Sequence, residues 1–302
     1  MRKNYILAIL LSFNLSCISS YKRTKEEIKQ IKSKRVLMDK HILISQKLKK
    51  PKAIALVCHG LNLKPLKMSS ITDLLNSQGV KTYLVSLTGH RGNQDEMRDV
   101  SSGKWLKDLH GAYLLAKKKA EELKVPFYFV GYSLGGVLNE MMMETQVLGE
   151  IKYDKVILFA PAISLRSYTY LILLTKALGN RTILPSIPVG DYRANKGTSV
   201  AAYDALFTYI GTLDSKEQYK NLNVPTLVFI DPKDELVSHS GLRNLIKSHN
   251  LSQWKLVTLN KSGLAKKGRK TYHIIIDKQS LGEDTWNKVK KTISDFLFEQ
   301  NL

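Results

Sequence analysis

Residues 127–136 read Phe-Tyr-Phe-Val-Gly-Tyr-Ser-Leu-Gly-Gly. The apolar start, rich in aromatic and β-branched side chains, predicts a buried strand over Phe127 to Val130. Leu134 to Gln146 reads as a helix. Between them, Gly131-Tyr132-Ser133-Leu134-Gly135 is a G-x-S-x-G turn that must carry the chain from strand to helix. A turn this tight holds its serine in a strained conformation, and small flanking residues let the backbone close without a Cβ clash. The Ser133 hydroxyl then projects above the carboxyl end of the sheet, beside a helix N-terminus that favours negative charge. A bare G-x-S-x-G is weak evidence. A strand before it and a helix after it make Ser133 a candidate nucleophile, against the plainer reading of a glycine-rich turn.

The same alternation extends in both directions. Val36 to Leu48 predicts one or two edge strands, and Ala53–Cys58 (AIALVC) and Lys81–Leu87 (KTYLVSL) predict two more. Lys155–Phe159, Thr226–Ile230 and Lys255–Leu259 follow as further strands. Helices are predicted over Ser69–Ser77, Ser101–Leu123, Leu242–Ser248 and Glu283–Glu299. In the longest, Trp105, Leu109, Tyr113 and Ala116 share one face, and Pro126 ends the pattern. Short apolar runs alternating with helices imply an α/β fold, a mostly parallel sheet with helices on both faces. Residues 164 to about 222 interrupt the alternation with the apolar stretch Tyr168–Leu178 and the aromatics Tyr203, Phe207 and Tyr209. This section is read as an insertion over the sheet.

At 302 residues with 43% hydrophobic content, the chain can bury one large core. It carries 47 basic and 26 acidic residues, a net charge of +21. Such a balance favours anionic partners. The basic residues are mostly lysine and spread along the chain, with no aromatic-interleaved stripe, which argues against nucleic acid. The expected alternatives are a solvated lysine-rich surface and an anionic membrane surface. Arg2 and Lys3 precede an apolar run from Tyr5 to Leu15, which describes a secretory leader over residues 1–16. Leu15-Ser16-Cys17 resembles a bacterial lipobox, which would make Cys17 a lipidated first residue and residues 17–35 a tether to the domain at 36–302. The expected location is exported, membrane-anchored or periplasmic. Cys58 is the one other cysteine, and no Cys or His spacing suggests a metal. No cofactor is implied.

A serine hydroxyl needs a base beside it. Of the seven histidines, His273 alone follows the last predicted strand and precedes the final helix. His249 closes a helix and is expected at solvent; His239 is placed in the loop before that helix. An acid must orient the imidazole. Asp231-Pro232-Lys233-Asp234 follows the strand after the insertion, and Asp234 is preferred to Asp231, which can cap the turn. An oxyanion requires backbone N–H donors, expected from Leu134 and from Leu61 in the loop His59-Gly60-Leu61-Asn62. His59 reads as a buried structural histidine.

These pieces together resemble the α/β-hydrolase superfamily. Cys58-His59-Gly60, Gly131 to Gly136, Asp231 to Val237 and Tyr272-His273 fall in its order. Leu87-Thr88-Gly89-His90-Arg91-Gly92-Asn93 is similar to a loop of the branch that holds monoacylglycerol lipases and lysophospholipases. The resemblance spans about residues 50–300. It implies the α/β-hydrolase fold, a Ser133–Asp234–His273 triad, action on carboxylic esters, and a helical lid formed by the insertion. The stretch from Lys261 to Lys270 is longer than that branch implies and is read as solvated, with a phosphate head group as the functional alternative. A peptidase or thioesterase on the same fold and a non-catalytic surface-binding lipoprotein are the competing readings.

Overall fold

The computed structural model describes residues 42–44, 48, 50–186, 189–217, 219–261 and 271–298. The expected leader, Cys17 and the tether lie outside these residues, as do residues 262–270 of the lysine-rich stretch.

Strands β1 (Ile42–Ile44), β2 (Ala53–Cys58), β3 (Val80–Val85), β4 (Phe127–Tyr132) and β5 (Lys155–Phe159) open the fold. A two-stranded ribbon, β6 (Ile183–Pro185) and β7 (Gly197–Ser199), lies apart from them, and β8 (Thr226–Ile230) and β9 (Trp254–Thr258) complete the main sheet. That sheet has seven strands in the order β1-β3-β2-β4-β5-β8-β9. Only β1 runs antiparallel. Every residue of β2, β4 and β8 is buried. Since strand side chains alternate between faces, both faces of the central sheet are covered. The apolar runs read from the sequence are therefore core strands.

The helices are α1 (Ser69–Ser77), α2 (Gln94–Arg98), α3 (Ser102–Leu123), α4 (Leu134–Thr145), α5 (Val200–Asp214), α6 (His239–Ser248), α7 (Lys278–Leu281) and α8 (Glu283–Phe298). The α3 boundaries follow local chemistry. The Ser101 side chain accepts from the Lys104 amide at the start, and Lys124 turns left-handed at the end (φ 53°), just before Pro126. Trp105, Leu109, Tyr113 and Ala116 are buried against the sheet, as their spacing requires. Among the described residues no helix is long and apolar enough to cross a membrane.

From β2 the chain moves outward to β3, then returns to place β4 on the other flank of β2. This reversal splays the connections apart at the carboxyl ends of β2 and β4 and opens a crevice there. The insertion leaves after β5 and roofs that crevice with a 3-10 helix (Ser167–Leu178), the β6–β7 ribbon and α5. It is pinned at several points. The Arg166 amide donates to the Leu236 carbonyl (2.8 Å), and Asn62 exchanges hydrogen bonds with the backbone of Asn195 (2.9 and 3.2 Å).

Candidate active site

Ser133 sits at the joint between β4 and α4 with φ 49° and ψ −111°, a conformation strained for a residue with a side chain. Its neighbours explain how the strain is held. A Cβ on Gly135 would lie 2.5 Å from the Cys58 carbonyl oxygen, and one on Gly131 would lie 2.9 Å from the Gly136 nitrogen. The Ser133 amide donates to the Phe159 carbonyl (3.0 Å), and its carbonyl accepts from the Ala162 amide (3.1 Å). Strand β5 thus fixes the elbow from one side.

The two other residues come from the sheet's far edge. Asp234 follows β8 in a turn closed by its own amide on the Asp231 carbonyl (2.9 Å). Its Oδ1 accepts from the Leu236 and Val237 amides (2.7 and 2.8 Å), which leaves Oδ2 to face the histidine. His273 Nδ1 stands 2.8 Å from that oxygen, and His273 Nε2 stands 2.9 Å from Ser133 Oγ. An ionised carboxylate only accepts, so Nδ1 carries the proton and Nε2 of the neutral ring accepts from the serine hydroxyl. All three residues are buried. Burial opposes charge on the imidazole. The Asp234 carboxylate, by its charge and its hydrogen bond, outweighs that together with Glu235, and the His273 pKa is raised above its ordinary value. Asp231, the rival acid, is used locally: it accepts from the amides of Lys233 (2.8 Å) and Lys261 (3.1 Å).

The loop after β2 faces the elbow. A Cβ on Gly60 would meet the Tyr132 ring at 2.7 Å and Ser133 Cβ at 3.2 Å, so only bare backbone fits there. The Asn62 amide donates to His90 Nε2 (2.9 Å), and the Leu87 amide donates to His59 Nε2 (3.1 Å). Both rings act as acceptors and must be neutral. Burial pushes His59 down to about 4 and, aided by the neighbouring His59, His90 well below its ordinary value. His59 is therefore the buried structural residue expected. The Asn62 amide is thus engaged, Leu61 beside it lines the cavity at Ser133, and Leu134, first residue of α4, has no intrahelical acceptor for its own amide.

A cavity of about 420 Å³ opens from Ser133 and His273 under the insertion. Leu61, Leu63, Leu165, Ile172, Leu206 and Phe207 form much of its wall. Such a site can take an apolar chain with its reacting carbon at the hydroxyl.

Two expectations are corrected. His249 is not a solvent-facing residue: it is half-buried and stacked on Tyr219, with ring centroids 3.8 Å apart. Lys261, first of the lysine-rich stretch, is buried rather than solvated. The sequence reading also passed over Glu235, whose carboxylate accepts from the Tyr272 and His273 amides (2.8 and 3.2 Å).

A strained serine between strand and helix, an acid after β8 and an imidazole after β9, set along one parallel sheet in that order, define an α/β-hydrolase. The chain belongs to the family described as serine aminopeptidase, S33, whose sequence profile matches residues 49–205, more than half its length. Comparison with curated proteins gives no sequence match. Solved structures share the fold. A soluble variant of the monoglyceride lipase of Saccharomyces cerevisiae, in complex with a substrate analogue, aligns with a TM-score of 0.72 at 13% identity, over 89% of this chain and 95% of that one. A metagenome-derived lipolytic enzyme aligns at 0.64 and 19% identity, over 87% and 99%. The monoacylglycerol lipase of Paleococcus ferrophilus aligns at 0.56 and 18% identity, over 86% and 100%.

Proposed function

We propose that this hydrolase cleaves carboxylic esters with lipid-like acyl groups, of the monoacylglycerol or lysophospholipid type. The observation that carries the reading is the Ser133–His273–Asp234 hydrogen-bonded series at the mouth of an apolar cavity. Ser133 Oγ attacks the ester carbonyl while His273 Nε2 takes its proton. Asp234 holds the ring in the required tautomer and stabilises the imidazolium. The Leu61 and Leu134 amides receive the oxyanion. His273 then protonates the leaving alcohol, and a water molecule, activated by the same nitrogen, releases the acid and restores the serine.

The surroundings support a lipid. Tyr168, Leu171, Leu174 and Leu178 stand exposed on the 3-10 helix above the cavity, in the role of a lid. That face and the net charge of +21 suit an anionic membrane surface. Residues 1–16 act in this reading as an export leader, with Cys17 lipidated.

Labelling by a fluorophosphonate tests the nucleophile: the wild-type chain reacts and Ser133→Ala does not. A panel of p-nitrophenyl esters of graded length, acyl-CoAs and aminoacyl amides tests the substrate class. Faster turnover of amides or thioesters than of long-chain esters refutes the lipid-ester reading, and failure of the wild-type chain to label favours a binding protein. The intact mass of the exported chain, compared with Cys17→Ser, tests the anchor.

A further inference from the structure

His273 lies on no helix or strand. Strand β9 ends at Thr258, and the connection to α7 that holds His273 is described from Leu259 to Lys261 and again from Thr271. The imidazole is nonetheless held within hydrogen-bond distance of both its partners. Something outside the local backbone has to fix it.

Two charged side chains do so from opposite sides. Glu235 Oε2 accepts from the amides of Tyr272 (2.8 Å) and His273 (3.2 Å). Lys261 Nζ donates to the carbonyls of Thr271 and Ile274, the latter at 2.8 Å. Four successive residues, 271 to 274, thus each give one backbone group to a charge. The carboxylate takes the donors and the ammonium takes the acceptors. Each charge is anchored beside the acid turn: Glu235 follows Asp234 directly, and the Lys261 amide donates to Asp231 Oδ2 (3.1 Å). Tyr132, next to the serine, adds its hydroxyl on the His273 carbonyl (3.3 Å). A buried ammonium is unfavourable unless its N–H groups are used, and here they are used on the turn that carries the imidazole.

We infer that Glu235 and Lys261 form a paired ionic clamp on the backbone of residues 271–274, and that both are positioning residues for His273. The inference rests on the catalytic reading above. It accounts for how an imidazole that lies on no helix or strand keeps its register. The groups that face His273 are Asp234 and Glu235 from the turn after β8, Lys261 from the exit of β9, and Tyr132 and Ser133 from the elbow. Among them Glu235 favours the imidazolium and Lys261 opposes it. Removing one charge therefore shifts the ring's titration in the direction opposite to removing the other.

The test uses the purified chain, a soluble p-nitrophenyl ester and the variants Glu235→Ala, Glu235→Gln and Lys261→Met. Displacing a catalytic group by about an ångström costs on the order of 100-fold in rate, so Glu235→Ala and Lys261→Met are expected to lose about 10- to 100-fold in kcat with little change in KM. Glu235→Gln keeps an acceptor for both amides and is expected to retain most of kcat. The acidic limb of its kcat/KM profile moves to lower pH, and that of Lys261→Met to higher pH. Glu235→Ala and Lys261→Met proteins that keep the wild-type kcat overturn the clamp, as do limbs that stay in place or move together. If Lys261→Met or Glu235→Ala does not fold, the limb of Glu235→Gln decides alone: movement to lower pH supports the clamp and an unmoved limb overturns it. Failure of the wild-type chain to take a fluorophosphonate at Ser133 refutes the catalytic reading instead. The clamp is then read from the downfield Nδ1–H proton resonance of His273, which Lys261→Met abolishes if the clamp holds and preserves if it does not.

Discussion

Replacing Asp234 with Asn makes the sharpest demand on the site, because the surrounding geometry dictates how the amide must sit. Asp234 Oδ1 accepts two backbone amides, at 2.7 and 2.8 Å, and Oδ2 faces His273 Nδ1 at 2.8 Å. An Asn side chain has one oxygen and one NH₂ group. Turning the oxygen toward the amides of Leu236 and Val237 preserves two hydrogen bonds, and the NH₂ must then face Nδ1. A donor there forces Nδ1 to accept, which moves the ring proton to Nε2. The nitrogen 2.9 Å from Ser133 Oγ can no longer take the serine's proton. Loss of the carboxylate also removes the charge that stabilises the imidazolium. A tautomer error of this kind in a serine triad costs about 10⁴-fold in kcat, or about 5 kcal/mol of transition-state stabilisation. The assay is hydrolysis of a soluble p-nitrophenyl ester across pH, with thermal melting as a control for folding. Under the proposed mechanism the wild-type chain needs neutral His273, so activity is expected to fall on acidification through a pKa raised above the usual imidazole value of about 6.5. In the variant that raising influence is gone, and the residual activity titrates at lower pH. A folded Asp234→Asn protein within about tenfold of wild-type kcat would refute the tautomer argument.

Other perturbations test separate parts of the structure. Burial raises Glu140 on α4 to about 8, so the folded state binds its proton more tightly than the unfolded chain does. Its stabilising contribution is complete below the ordinary carboxylate value and is lost as pH rises toward about 8; Glu140→Gln is therefore expected to raise Tm at pH 8 and to leave it unchanged near pH 4, and equal melting curves at pH 8 would count against this. Gly135→Ala places a Cβ 2.5 Å from the Cys58 carbonyl oxygen, where backbone cannot swing away; an overpacking cost of about 1–3 kcal/mol is expected, seen by calorimetry as a lower Tm. Asp at both Leu174 and Leu178, each 62% exposed and neither part of the cavity wall, should leave hydrolysis of a dispersed short ester intact. The same double variant should weaken sedimentation with anionic vesicles by about tenfold or more, since each leucine adds about 1.5–3 kcal/mol when buried in lipid. Equal sedimentation would show that this face does not meet the membrane.

The sheet was readable because its central strands are buried on both faces and so appear as uninterrupted apolar runs, AIALVC and TLVFI among them. The order of serine, acid and histidine was readable because each follows the carboxyl end of such a run. Asp234 rather than Asp231 reaches His273, because the turn closes on the Asp231 carbonyl and carries Asp234 inward. The position of helix α5 within the helical insertion escaped notice for the opposite reason. It is buried round most of its circumference, against α4, α3 and the 3-10 helix, so no polar face marks a period of 3.6. Strands β6 and β7 are too short to carry a pattern. Glu235 and Lys261 were hidden because charged residues read as solvated, and their partners are backbone groups remote in sequence. Sequence alone places no backbone carbonyl.

The roof over the cavity is wound unusually. Ser167–Leu178 holds 3-10 geometry for twelve residues, where such helices rarely pass four. With three residues per turn, Tyr168, Leu171 and Leu174 stack in a single exposed row. At about 2.0 Å per residue the segment spans roughly 24 Å, against about 18 Å as an α-helix. Rewinding would draw its ends some 6 Å closer, by the same estimate, and fan that row around the axis. One pitch therefore sets both the line of that apolar row and the length of cavity the segment covers.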